Sequence, residues 1–238
     1  MSRPIDVLAV AAHPDDVEQT CGGTLIRCAE RGYRTAVVDL TAGEMGTRGS
    51  PEQRLAEAAA AGAEMLLAER HNLHLPDARL ENTLEARKKL AAKIRELRPR
   101  VVILPYWEAR HPDHHRASEI GSEACFLAGL KKLDIGGEPH RPLKVLYSSI
   151  YADARPSFVV DISAQLERRL RALFRYRSQY ETRPEGADLF PEQEAVAERI
   201  RTAARHYGML IHAKYGEPFV VREMLKVDDV VKMGVPSF

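Results

Sequence analysis

Two short clusters carry the chemistry legible in this chain: His13-Pro14-Asp15-Asp16 and His111-Pro112-Asp113-His114-His115. The first offers an imidazole and two carboxylates within four residues, a donor set suited to a divalent cation. If one carboxylate binds, the other is left for proton transfer. The competing reading is that Asp15 or Asp16 only caps the helix that follows. Capping accounts for one aspartate, but not for both together with the histidine and the proline. The second cluster repeats the pattern, His-Pro-Asp and then further ligand-type residues. If the two converge, three protein ligands and an open position make a catalytic rather than a structural zinc site. No cysteine cluster competes: Cys21 and Cys28 share the face of an expected helix without a CxxC spacing and read as core.

Convergence requires strands that aim both clusters at one place. The first cluster follows the apolar run at residues 5–12, and the second follows the run at 101–104. Pro14 cannot donate to a strand ladder and keeps His13 out of helix, so the chain turns there. Further strands are expected at 35–40, 72–75, 143–150 and 157–161. Helices are expected at 17–31, 51–68, 81–97 and from the second cluster through about 127, and a polar loop with Gly43, Gly46 and Gly49 at 41–50. After about residue 135 the pattern changes, and two long polar helices are expected at 164–180 and 191–214. Strand–helix units of roughly 30 residues predict an α/β fold, a Rossmann-like doubly wound, mostly parallel sheet with a C-terminal helical elaboration. The expected organisation is one domain over 1–238, its core at about 1–135 and the elaboration at about 136–238. In such sheets ligands bind beyond the carboxyl ends of the strands, where both clusters fall.

Composition sets the frame. With 238 residues and 45% hydrophobic content the chain can bury a sizeable core. Its 35 basic residues nearly balance 34 acidic ones, so no global field points to nucleic acid or a membrane surface. No apolar run approaches the ~18 residues of a membrane span. The N-terminus lacks signal-peptide anatomy, and three cysteines argue against a disulfide framework, so a cytoplasmic protein is expected. Arg168, Arg169, Arg171, Arg175 and Arg177 invite a nucleic-acid reading. On a helix they spread over several faces beside a stripe of Leu166, Leu170, Leu173 and Phe174, and a solvated or inter-subunit face is expected.

The run Ala12-His13-Pro14-Asp15-Asp16-Val17-Glu18 resembles the first motif of the LmbE-like (PIG-L) N-acetylglucosaminyl deacetylases. Cys21-Gly22-Gly23-Thr24 and His111-Pro112-Asp113-His114 fit the same family. The resemblance covers nearly the whole chain and is strongest over 5–60 and 100–120. Gly43-Glu44-Met45-Gly46 and the ending Tyr215-Gly216-Glu217-Pro218-Phe219 are most similar to the bacillithiol-biosynthesis branch. Gln19-Thr20 departs from the apolar and small residues that often stand there in the family.

Carried over by position, the resemblance implies that His13, Asp16 and His114 are zinc ligands, ferrous iron being the other ion such a site accepts. It implies Asp15 as general base and His111 as acid or oxyanion stabiliser. Asp113 would orient a histidine ring nitrogen, and Arg54 would contact substrate, its guanidinium suited to a carboxylate or phosphate. The Glu44–Gly46 loop would border the sugar pocket. His115 reads as a helix-surface residue, and His71, His74, His140, His206 and His212 as structural or exposed. The implied activity is removal of an N-acetyl group from a small-molecule GlcNAc conjugate, GlcNAc-malate first, by a homo-oligomer. Alternatives are a mycothiol-type conjugate or a chitooligosaccharide as substrate, a non-catalytic sugar-binding relative, and a nucleotide- or nucleic-acid-binding module. Gly43, Gly46 and Gly49 form no GxGxxG and follow the second strand, which weakens the last of these.

Overall fold

Every residue of β1 (Val7–Ala11) and of β2 (Thr35–Asp39) is buried, because helices cover both faces of the sheet and an alternating pattern would leave polar side chains dry. The structure, a computed structural model, describes residues 3–149, 154–181, 191–232 and 234–235. Five parallel strands lie in the order β3 (Glu69–Asn72), β2, β1, β4 (Val101–Pro105) and β5 (Lys144–Ser148). The sheet then continues through β7 (Gly216–Val220) to β6 (Phe158–Asp161), each pairing antiparallel. Along β1, Leu8 and Val10 pack with Leu90, Ile94 and Ile120 on one face, whereas Val7, Ala9 and Ala11 pack with Val17, Leu25 and Ile26 on the other. The fold is therefore the doubly wound α/β arrangement that the alternation predicts.

The helices are α1 (Asp16–Thr20), α2 (Gly22–Glu30), α3 (Pro51–Glu64), α4 (Leu84–Leu97), α5 (Pro112–Ala128), α6 (Leu166–Leu173), α7 (Arg177–Tyr180) and α8 (Gln193–Met209). Their starts follow local chemistry. Ser50 and Thr83 accept from the backbone N–H three residues on, and Pro51 and Pro112 occupy first helical positions where no donor is needed. Successive strands lie on opposite sides of β1, with β2 and β3 to one side and β4 and β5 to the other. Both His-Pro-Asp clusters leave the sheet at this switch.

Several boundaries differ from expectation. The helix expected at 17–31 is two, broken at Cys21. The helix expected at 51–68 ends at Glu64, where Leu66 turns left-handed (φ 61°) and Leu67 N–H closes back on Gly62 O. The third strand is Glu69–Asn72 rather than 72–75. The helix expected at 164–180 divides into α6 and α7, and residue 150 of the fifth expected strand lies outside the described residues. Strand β7 escapes sequence reading because glycine, glutamate and proline break a strand pattern. Pro218 is tolerated because β5 contacts only Phe219 and Val220, so Pro218 pairs on the β6 side alone. Among the described residues no helix is long and apolar enough to cross a membrane. Cys21 and Cys125 are buried, and the half-buried Cys28 packs on the second core layer, as expected of core thiols.

Candidate active site

After Ala11 the chain leaves the sheet, and Asp15 adopts a left-handed conformation (φ 102°) just before α1. That turn sends Asp15 and Asp16 in different directions. Asp16 faces the second cluster: its Oδ1 is 3.1 Å from His114 Nε2 in the first turn of α5, and its Oδ2 is 3.6 Å from His13 Nδ1. Oδ2 also accepts the His13 backbone N–H at 2.9 Å, which fixes the carboxylate between the two rings. The structure thus brings together His13, Asp16 and His114 from residues about one hundred positions apart. Burial would raise the Asp16 pKa, but the charges and hydrogen bonds of His114 and His13 hold it well below the usual carboxylate range.

The other edge of the His13 ring is anchored by carboxylates. Nε2 lies 3.0 Å from Asp77 Oδ1 and 3.3 Å from Asp113 Oδ2. Asp113 is itself held by the N–H groups of Ala78 and Leu80, and Asp77 by that of Met45. Carboxylates on Nε2 fix the ring and would leave Nδ1 to donate its electron pair to a cation held between it and Asp16, the arrangement that orients metal-bound histidines. Burial alone would depress the His13 pKa, yet Asp16 and Asp77 push it up to about 11. The pocket is thus built to stabilise positive charge. Among the described residues, ligand-type atoms gather within 4.8 Å in two sets, His13–His111–His114 and His13–Asp77–Asp113. Two imidazoles with a carboxylate between them fit a divalent cation by donor type. Asp77 escaped sequence reading because it stands alone between Pro76 and Ala78, with no motif around it.

His111 caps α5: its Nδ1 accepts the Asp113 N–H at 3.2 Å. A backbone N–H only donates, so a neutral His111 carries its proton on Nε2. Burial, then the His13 and His114 charges, lowers the His111 pKa. The ring sits 4.9 Å from both His13 and His114, centroid to centroid. Beside His111 and His114 opens a cleft of about 280 Å³, which Thr20, Tyr106, Arg110, Ser148 and Arg199 also line.

Asp15 is 7% exposed, with Oδ2 accepting the Tyr180 hydroxyl at 2.8 Å and Oδ1 3.4 Å from Arg54 Nη2. Burial, with the Asp16 and Glu18 charges adding and Arg54 and Tyr180 opposing, pushes its pKa up to about 6. Arg54 also donates to Pro14 O at 3.0 Å, through the same Nη2 that faces Asp15. It packs against Gly43 (φ 68°), where a Cβ would come within 2.8 Å of Nη1. Glu44 in that loop accepts from Ala42 and Asp77 N–H, which ties the loop to the His13 anchor. His115 lies on the helix surface, facing Trp107 O and Glu119. The pairing of Arg54 with Asp15 was not legible in the sequence, where only Glu57 stood close by in helical spacing.

Strand β7 and helix α6 brace this region. Glu217 on β7 accepts from Gly23 N–H at 2.8 Å and Thr24 N–H at 2.6 Å, capping α2. A Cβ at Gly23 would come 2.8 Å from Glu217 Oε1, so the approach requires glycine. Arg169 pairs with Glu217 at 3.0 Å and donates to Glu18 O at 2.8 Å and to Gln19 O, the end of α1. Arg169 is therefore 1% exposed and not on the solvated face expected of the arginine run. The expectation holds for Arg171 and Arg175, which are exposed and reach Glu64. Glu18 is fully buried and pairs with Arg70 at 2.6 Å, which also holds Asp39 at 2.8 Å.

A doubly wound sheet with a histidine–aspartate cluster at its switch point defines the class, an α/β protein with a site fit for a metal-assisted hydrolase. A family model described as GlcNAc-PI de-N-acetylase (PIG-L) matches residues 8–125. Diacetylchitobiose deacetylase of Thermococcus kodakarensis is 32% identical over 228 residues, covering 89% of this chain and 80% of that one. A probable N-acetyl-alpha-D-glucosaminyl L-malate deacetylase 2 of Bacillus anthracis is 29% identical over 202 residues, covering 77% and 85%. Among solved structures, the conserved protein TT1542 from Thermus thermophilus matches with a TM-score of 0.84 at 41% identity, covering 94% of this chain and 98% of that one. The chain belongs to the PIG-L (LmbE-like) deacetylase family. It is a hydrolase of N-acetyl amides.

Proposed function

We propose that the protein removes the N-acetyl group of an N-acetylglucosaminide, with GlcNAc-malate as its substrate. The observation that supports the chemistry is Asp16 set between His13 Nδ1 at 3.6 Å and His114 Nε2 at 3.1 Å, with the His111 ring 4.9 Å from each of theirs. His13 Nδ1, Asp16 and His114 Nε2 would hold a zinc or ferrous ion, which supplies a Lewis acid and lowers the pKa of water. Asp15 accepts the proton of the attacking water and passes it to the departing nitrogen, giving acetate and a free amine. His111 offers Nε2–H to the carbonyl oxygen as negative charge develops there. Asp113 and Asp77 keep the His13 ring in register. Arg54 holds Asp15 and Pro14 O through Nη2, and its remaining N–H groups contact the substrate.

The relative from Bacillus anthracis supports the malate conjugate, and the one from Thermococcus kodakarensis supports a second reading, diacetylchitobiose. Amine release from each compound by zinc-reconstituted protein, with metal-stripped protein as control, decides. Metal-dependent release carries the deacetylase reading, and the larger kcat/KM names the substrate. Bound zinc at one per chain without release from either compound would reject both substrates.

A further inference from the structure

Tyr180 reaches Asp15 from a helix too short to hold itself. Helix α7 has four residues, and Tyr176 at its N-cap gives it no side-chain cap. A single turn orders several residues for one backbone bond, so its orientation is set by whatever ties it down. Glu57, in the middle of α3, supplies the tie. Its Oε1 accepts the Ser178 N–H at 2.8 Å, and its Oε2 accepts the Ser178 hydroxyl at 2.6 Å. Gln179 donates to Arg48 O at 2.8 Å. Ser178 is fully buried against Gly49 (φ 75°), where a Cβ would come within 2.7 Å of the serine Cβ. Ala58 and Ala61 of α3 pack on Tyr176, and Tyr180 packs against the same cluster.

Arg54 and Glu57 stand three positions apart on α3, a spacing at which opposite charges can pair. Instead Glu57 spends both oxygens on Ser178, and Arg54 turns to Asp15. Helix α3 therefore governs both oxygens of the Asp15 carboxylate. Arg54 lies 3.4 Å from Oδ1, and Glu57 seats the turn from which the Tyr180 hydroxyl donates to Oδ2 at 2.8 Å. We infer that Glu57 is a positioning residue for the reaction, aligning the Asp15 base through Ser178 and Tyr180. The inference rests on the reading of Asp15 as the proton acceptor of a deacetylase. Without Glu57, the buried Ser178 N–H and hydroxyl lose their acceptor, and the turn shifts to find another. The Tyr180 hydroxyl, two residues on, shifts with it.

A double-mutant cycle tests this. Zinc-loaded parent, Glu57→Ala, Tyr180→Phe and the double variant are assayed on whichever of GlcNAc-malate and diacetylchitobiose the parent cleaves. Glu57→Ala should lower kcat by about three- to tenfold with KM little changed, as Tyr180→Phe does. The double variant should be no slower than the slower single one, because both substitutions break the same line of contacts. Glu57→Gln accepts the Ser178 N–H through its amide oxygen and should recover most of the loss. Hydrogen exchange over residues 176–181 of the metal-free protein reads the tie without turnover. It should quicken in Glu57→Ala and stay near the parental rate in Glu57→Gln. Losses that multiply in the double variant, a fall confined to KM, or unchanged exchange overturn the inference. A general loosening of the fold would multiply in this way, so it cannot pass for positioning. No amine release by the parent from either compound removes the deacetylase reading and this inference with it. Release by the parent with multiplied losses removes the inference alone.

Discussion

The Tyr180 hydroxyl donates to Asp15 Oδ2 at 2.8 Å, across 165 residues of chain. Together with Arg54 on the other oxygen, it fixes the carboxylate that we assign as the proton acceptor. Tyr180→Phe removes the hydroxyl and keeps the ring that packs on Phe174. The expected effect is a fall in kcat of about three- to tenfold with KM little changed, the signature of a misaligned base rather than a lost binding contact. Steady-state kinetics of the variant reads the split, and a fall confined to KM would show that the hydroxyl serves the substrate.

Asp15→Asn keeps the size of the side chain and removes its basicity. Hydrolysis should drop by roughly 10²–10⁴-fold, the range for a lost general acid–base group. Metal content measured on the same preparation should stay near that of the parent, since the Asp15 carboxylate is held by Arg54 and Tyr180 and is not one of the proposed ligands. Full activity in this variant would sink the proposed mechanism.

Asp16 sets one oxygen toward each of two histidines, so Asp16→Ala and His114→Ala should each abolish stoichiometric zinc binding. His115→Ala should not, because that ring turns to Trp107 O and Glu119. Elemental analysis after dialysis against zinc gives the answer independently of any substrate. Chelation of the parent should remove activity, and added zinc or ferrous ion should restore it.

Arg169→Met leaves Glu217 as a buried carboxylate without its cation. A loss of about 3–5 kcal/mol in unfolding free energy is expected from breaking one side of a buried pair. Urea unfolding measures it. Replacing both partners with apolar residues should recover part of the loss, although Gly23 and Thr24 N–H would still lack their cap.

Burial pushes the thiols of Cys21 and Cys125 up to about 12, and Cys28 is raised as well. At pH 8 little thiolate forms, so all three should react slowly with a disulfide reagent in the native protein and at ordinary rates in denaturant. Rapid modification of native Cys21 would contradict its place in the core.

The sheet and the placement of both His-Pro-Asp clusters were legible because apolar runs and a proline after each are local signals. The metal-type residues and Asp15 could be located from two short motifs. Asp77, Tyr180 and the Arg54–Asp15 pair could not, since each depends on a contact between distant segments and none sits in a patterned run. Arg169 misled for a related reason. A helix stripe separates apolar from polar residues, but it does not say which polar residue will meet a buried partner such as Glu217 on a strand that glycine and proline disguise.

The cap on α2 has a consequence for the order of folding. Gly23 and Glu217 are 194 residues apart, yet their bond seats the helix that follows the first motif. During synthesis, β6 at Phe158–Asp161 must wait for β7, which lies between it and the rest of the sheet. The helix after the first motif is therefore made well before Glu217, the residue that caps it. Until Glu217 is made, the Gly23 and Thr24 N–H groups lack the cap that the finished fold gives them. Contacts of such high sequence separation are the ones that slow folding.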